Sequence, residues 1–465
     1  MAFPPHPARL LARPRPATAI TRAAQRPHSS RRPRVHRSGL AAIAALVALC
    51  AAAASPELLA AVHAEAIQPV PGLSTADDVA LAEKAALLSL ASALNNHPAF
   101  AWAGWTSASQ GLSASDSKPC VQFWEFLSCD SDGRVSSINI DNPTLGTINA
   151  SWANQKAPGG LSGSIPWDSL TVLQRLQAVD LSGNSISGPP FTPAISQFTE
   201  LREIQLAGNR LDAPVASQAS ELFNLQKLDL SNNLIPGALP AGLSALTALE
   251  VLSLSSNQLA DSFPLGLSAL TALKQLELGN NNFNGPLPDQ WSTLTGLQLL
   301  DLAGAGVVLP LPDSWAALSS LETLSLQNNN LTAPFPAFLL QLPSISDVTL
   351  FNNSLYGSLP ATLWNPTKLT LVEVSSNFLN GSVPQPPAGR SADFSYSTNC
   401  LQSAPSQRPT DQCSSFYSNL PALVQAAAEK ARSKGCSAVS SLQSAAAAAA
   451  AAAALLASLS LALMH

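Results

Sequence analysis

Between Asp130 and Asn399 the 465-residue chain has neither a cysteine nor a histidine. That gap excludes Cys/His metal sites and imidazole-assisted nucleophiles from the whole central region. Positive charge is also scarce there. Residues 135–394 carry eighteen Asp or Glu against eight Lys or Arg, a formal net of −10. Such a surface repels phosphate backbones, which argues against a nucleic-acid partner. The whole-chain value of −5 hides this, because the first 56 residues hold nine Arg and no acid. No phosphate loop, zinc spacing or nucleophile constellation is visible, and the stretch after Cys413 is too short for a kinase domain. Carboxylate pairs are common on any array of strands and carry little information. The reading is a non-enzymatic protein without a cofactor.

The two ends read as addresses. Residues 40–54 form an uncharged apolar run behind Arg31, Arg32, Arg34 and Arg37, the layout of a secretory signal. Cleavage would follow Ala54 or precede Glu65. An organelle transit peptide and an uncleaved signal-anchor remain alternatives. Methionine occurs only at 1 and 464, so no internal start supplies a shorter leader. Residues 445–463 are an Ala-rich apolar tail with Gly435, Cys436 and Ser437 upstream, the ingredients of a lipid-anchor signal. A membrane-spanning tail and a soluble one stay open.

The middle is a counted repeat. Leu176, Leu201, Leu225, Leu249, Leu273, Leu297, Leu321, Ile345 and Leu369 are separated by 25 once and then by 24. Each opens the frame LxxLxLxxNxL. In xLxL the leucines point inward and their neighbours outward, because strand side chains alternate. One repeat cannot offset its own ordering entropy, so stacking is required and a solenoid follows. The Asn of the frame recurs at 184, 209, 233, 257, 281, 329, 353 and 377, where a buried amide can pair bend groups. Ala305, between Gly304 and Gly306, breaks the series, and a soft spot that Ala305→Asn would relieve is expected there. GxLP variants follow each frame, as at Gly237–Pro240, Gly285–Pro288, Gly357–Pro360 and Gly381–Pro384. Gly permits the turn and Pro starts a helical stretch.

The frame LxxLxLxxNxLxGxLP resembles the plant-type extracellular leucine-rich repeat of receptor-like proteins, receptor-kinase ectodomains and polygalacturonase inhibitors. The resemblance covers about residues 75–417. It implies an α/β solenoid, a leucine-rich-repeat horseshoe of about ten repeats with a parallel concave sheet and disulfide caps at both ends. A helix from Thr75 to Leu94, then Trp105, Cys120, Trp124 and Cys129, resembles the N-terminal cap, although Glu125-Phe126 departs from the usual pattern. Phe394, Cys400 and Cys413 resemble the C-terminal one. The implied pairings are Cys120–Cys129 and Cys400–Cys413, which need an oxidising compartment. The expected organisation is leader 1–64, N-terminal cap 65–134, repeats 135–394, C-terminal cap 395–420, linker 421–444 and tail 445–465.

The expected binding surface is the concave sheet. Its candidate residues are Asp180, Glu203, Asp229, Glu277, Asp301, Asp347, Phe351 and Glu373, a landing strip for a basic peptide or protein patch. The same acids also follow from the repeat's LDLS consensus on a solvated face. Sequons at Asn149, Asn330, Asn352 and Asn380 are glycosylation candidates, and the insertion from Trp152 to Gly160 is the one irregular loop. The leading reading is a protein- or peptide-binding ectodomain at the cell surface, held by its tail, with a transmembrane co-receptor as a possible partner. The rivals are a secreted enzyme inhibitor or cell-wall protein, and an intracellular scaffold associated with cytoskeleton or cilium.

Overall fold

The computed structural model describes residues 76–94, 126–140 and 160–432, apart from Leu309, Arg390, Ser391 and Ser403. The chain divides into two units, Met1–Pro71 and Gly72–His465, and every described residue belongs to the second. The leader, Cys120, Asn149, the irregular insertion, Gly435, Cys436, Ser437 and the Ala-rich tail lie outside the described residues. Among the described residues no helix is long and apolar enough to cross a membrane.

A twelve-stranded sheet runs through the unit in sequence order. It begins with β1 (Leu127–Cys129) antiparallel to β2 (Val135–Asn139). Ten parallel strands follow: β3 (Ala178–Asp180), β4 (Glu203–Gln205), β5 (Lys227–Asp229), β6 (Val251–Ser253), β7 (Gln275–Glu277), β8 (Leu299–Asp301), β9 (Thr323–Ser325), β10 (Asp347–Thr349), β11 (Leu371–Glu373) and β12 (Asp393–Ser395). The central residue of each repeat strand, from Val179 to Val372, is buried while its neighbours face outward. The solenoid expected from the spacing is the fold observed. One continuous apolar core runs from Ala86 to Leu401. Opposite the strands, most repeats turn through five residues of 3-10 helix, as at Ala241–Ala245 and Leu265–Ala269, and one through four, Ala361–Trp364. Pro240 and Pro264 stand just before these turns in extended conformation, so the expected helical stretch is a single tight turn. A 24-residue repeat leaves no chain for more.

The asparagine ladder is realised as a set of bridges between layers. Asn257 accepts the Ile235 N–H at 3.0 Å and donates to the Leu230 carbonyl at 2.9 Å and the Leu254 carbonyl at 3.0 Å. The same three bonds recur at Asn233, Asn281, Asn353 and Asn377. A further rung appears at Asn399, which accepts from Leu379 and donates to Val374 and Tyr396. At Ala305 no amide is present. The neighbouring Gly306 adopts φ +84°, and a Cβ there would lie 2.3 Å from the Phe283 carbonyl oxygen. The position after each rung is a non-glycine residue with ordinary φ in the other repeats, so this bend has been rebuilt around glycine.

A second set of short ladders runs beside the GxLP segments. Three-stranded pieces join Ser162–Gly163 to Arg210–Leu211, Pro236–Gly237 to Asn282–Phe283, and Tyr356–Ser358 to Cys400–Leu401. Among the described residues no such strand forms between Phe283 and Tyr356, although seam bonds persist there, from Asn330 to Val307, Ser354 to Leu331 and Tyr356 to Ala333. Three successive repeats read Pro286-Leu-Pro288, Pro310-Leu-Pro312 and Pro334-Phe-Pro336 there.

Both ends of the array are covered. Helix α1 (Ala76–Ala93) lays Leu87 and Leu90 on the first layers. Its fully buried Glu83 pairs with Arg134 and accepts from the Val135 N–H. Burial pushes the Glu83 carboxyl above its ordinary value of 4.5, and the Arg134 bond opposes that rise. A one-turn helix α2 (Trp167–Leu170) carries Trp167, whose indole donates to Pro190 at 2.8 Å. At the far end Cys400 and Cys413 are joined with an S–S distance of 2.08 Å. Cys129 is not a free thiol, while its expected partner lies outside the described residues. Helix α3 (Thr410–Arg432) passes through Pro421 without a break, and Val424 is still buried. The covering element therefore extends beyond the boundary at 420 expected from the sequence. Phe416 stacks on Phe378 at 3.7 Å, and Arg408 lies 4.3 Å over the same ring while donating to Asn377.

Three expectations follow. Asn257→Ala strands the buried Ile235 N–H and removes one of the two amide bonds at each of the Leu230 and Leu254 carbonyls, and is expected to lower unfolding free energy by about 2 kcal/mol. Ala305→Asn restores the amide and is expected to raise the thermal midpoint. A midpoint unchanged in that variant contradicts the soft spot. For Glu83 the folded cap binds a proton more tightly than the unfolded chain. Its contribution is fully present below 4.5 and is lost as pH rises through the higher folded value. Glu83→Gln is expected to flatten the pH dependence of unfolding in that window, which a series of melts reads directly.

Candidate functional site

The outward face of the sheet is built from two columns whose members lie in register. One runs Glu203, Lys227, Val251, Gln275, Leu299, Thr323, Asp347 and Leu371. The other runs Asp180, Gln205, Asp229, Ser253, Glu277, Asp301, Ser325, Thr349 and Glu373. All eight candidates fall on or beside these columns, but the structure distributes them unequally.

Three of the aspartates are partly committed to the scaffold. One oxygen of Asp180, Asp229 and Asp301 accepts the backbone N–H two residues on, at 3.0, 3.0 and 2.9 Å. Each braces the bend that follows its strand. Burial pushes the Asp301 carboxyl up from its ordinary value, against the pull of the Ala303 N–H. Glu277 accepts from the Ser253 hydroxyl at 2.7 Å. Asp347 accepts from Ser346 and Thr370 at 2.9 and 2.7 Å. Glu203 is exposed, and Glu373 and Phe351 are half-buried.

Cations divide the face. In its first half Lys227 shares a column with Glu203 and donates to Gln205 at 2.6 Å, and Lys274 pairs with Glu250 at 2.6 Å. From Gln275 to Thr367 the sequence holds no Lys or Arg. In the second half Glu277, Asp301, Asp347 and Glu373 lie among the outward apolar residues Leu299, Phe351 and Leu371, with no cation in the strands from β7 to β11. This half combines unmatched negative charge with apolar anchors. Asp180 and Glu203 stand apart from it.

Of the described sequons, Asn330 and Asn352 are exposed. Asn352 also donates to Asn328 at 3.0 Å. Asn380 is half-buried and hydrogen-bonds to Tyr417. Tyr417 itself donates to the Phe378 carbonyl at 2.6 Å, and burial pushes its phenol up to about 12. Sequence reasoning did not reach the bonding role of this tyrosine, and it missed the Asn399 rung.

Models of the leucine rich repeat match residues 199–259, and again 272–294 and 320–342. No curated protein matches the chain. Among solved structures, the Arabidopsis receptor kinase HAESA in complex with the peptide hormone IDA and the co-receptor SERK1 superposes at 28% identity with a TM-score of 0.58. The match covers 68% of this chain and 50% of that one. The HAESA ectodomain with an extended IDA peptide gives 30% identity and a TM-score of 0.54, covering 67% and 50%. A plant ice-binding protein gives 25% identity and a TM-score of 0.56, covering 70% of this chain and 96% of that one. The chain thus spans about half the length of the receptor structures it matches. With the counted frame, the register of the strands and these likenesses together, the chain belongs to the leucine-rich-repeat proteins, with repeats of the plant extracellular type.

Proposed function

We propose that this protein is a non-enzymatic recognition module that binds a basic, partly apolar peptide or protein segment on the second half of its sheet face. The observation that carries the reading is the pairing of Asp347 and Glu373 with Phe351 and Leu371 on strands that hold no cation. An extended ligand laid across the strands would meet Leu299, Asp347 and Leu371 in one column and Glu277, Asp301 and Glu373 in the other, gaining orientation from charge and contact area from the anchors. The HAESA structures contain a peptide hormone, which supports a peptide as the kind of ligand. Action at the cell surface, retention by the tail and service as a co-receptor belong to the same proposal. The oxidised Cys400–Cys413 pair supports an extracytoplasmic location.

The test uses the full chain and a synthetic peptide of alternating Lys and Leu, titrated by calorimetry. Saturable binding that weakens with salt is expected, with a loss of about tenfold in Asp347→Asn/Glu373→Gln, since each solvated charge contact contributes about 0.5–1 kcal/mol. Equal affinity in that variant, or no binding, overturns the assignment of the face. Location is read separately with a tag inserted near Ser74. Surface exposure with release by phosphatidylinositol-specific phospholipase is the expected result, and free cysteines in an untrafficked protein contradict it.

A further inference from the structure

A cleft lies beside the PxP segments of neighbouring repeats, lined by residues other than those of the sheet face. Its volume is about 260 Å³. The floor is made by Leu311, Leu331, Phe335 and Leu355, each less than a tenth exposed. Pro310, Pro334 and Pro336 form the walls, with Phe338 and Ala337 at the rim. Backbone bonds from Ser354 to Leu331 and from Tyr356 to Ala333 hold the layers together beneath the cleft, and the prolines that follow stand above this apolar floor.

One polar group of the lining carries charge. Asp313 opens the 3-10 turn Asp313–Ala317 at the edge of the cleft, is exposed, and makes no ion pair among the described residues. The nearest Lys or Arg in sequence are Lys274 and Lys368, so its charge is unmatched locally. An apolar cavity of about 150 Å³ accommodates a benzene ring; this larger one has room for a fused aromatic ring with a short side chain. Flat proline faces and the Phe338 ring suit an aromatic plane, and a carboxylate at the mouth selects a cation.

We propose that this cleft is a binding site for a small aromatic amine, with the ring on the Leu331–Leu355 floor and the ammonium at Asp313. The proposal is independent of the sheet-face reading, because it uses none of the same residues.

The test is calorimetric titration of the full chain with tryptamine, indole-3-propionate and butylamine. Tryptamine is expected to bind saturably and at least tenfold more tightly than either analogue, one of which reverses the charge while the other lacks the ring. Ala337→Phe, at an exposed rim position, fills the mouth and is expected to abolish binding. Asp313→Asn is expected to weaken tryptamine several-fold while leaving indole-3-propionate no weaker. Thermal melts confirm that both variants are folded. Absence of saturable tryptamine binding, equal binding of the propionate, or indifference to Ala337→Phe overturns the proposal.

Discussion

A side-chain amide that joins two layers of backbone is the interaction on which the array rests. Each repeat must reverse direction after three residues of strand, and that bend carries peptide groups that point into the core. Water cannot reach them, and an unpaired buried group costs about 1–3 kcal/mol. Asparagine is short enough to remain inside the bend and supplies both a donor and an acceptor. Asn257 ties Ile235, Leu230 and Leu254 together, so its bonds lie partly within one layer and partly between two. Leucines fill the volume behind it, but they are interchangeable in a way the amide is not. Aliphatic packing makes the layers adhere, and the amide sets them in register.

A stack of like layers still has two ends, and here the ends are closed by different chemistry. Helix α1 brings a carboxylate, Glu83, into a place without water and matches it with Arg134. Such a pair costs desolvation and contributes position more than stability. The opposite end uses aromatic faces, a covalent bond and a phenol aimed at backbone groups. Phe378, Phe416 and Arg408 form a sandwich in which the guanidinium has little water around it, and burial lowers its pKa accordingly.

The repeat was legible because a period of 24 imposes itself on every residue class at once: Leu, Asn, Gly and Pro all recur in phase. Legibility failed where the period did. The last rung, Asn399, follows Asn377 by 22 residues, and Phe394 and Tyr396 occupy places held by aliphatic residues elsewhere, so it passes for part of the cap. The extent of α3 was hidden for a related reason. Pro421 reads as a helix terminator, yet burial of Leu420 and Val424 on either side of it outweighs the missing bond. For the sheet face, the columns followed from alternation alone. The spacing did not show that Asp180, Asp229 and Asp301 each spend an oxygen on the bend beyond the strand, which requires knowing where the chain goes next. The cleft beside Asp313 was not legible at all, because its floor and walls come from three repeats that only the stacking brings together.

The fault at Gly304–Gly306 leaves one junction of the array without the amide bridge that its neighbours have. A rod of identical joints shares a load evenly, whereas one with a single weakly bonded joint parts there. Tension applied along the layers would therefore concentrate at the junction near residue 306, and the array would separate into two blocks, each retaining its own covered end. The acidic half of the face spans that junction, so a ligand laid along it would bridge the most weakly bonded joint.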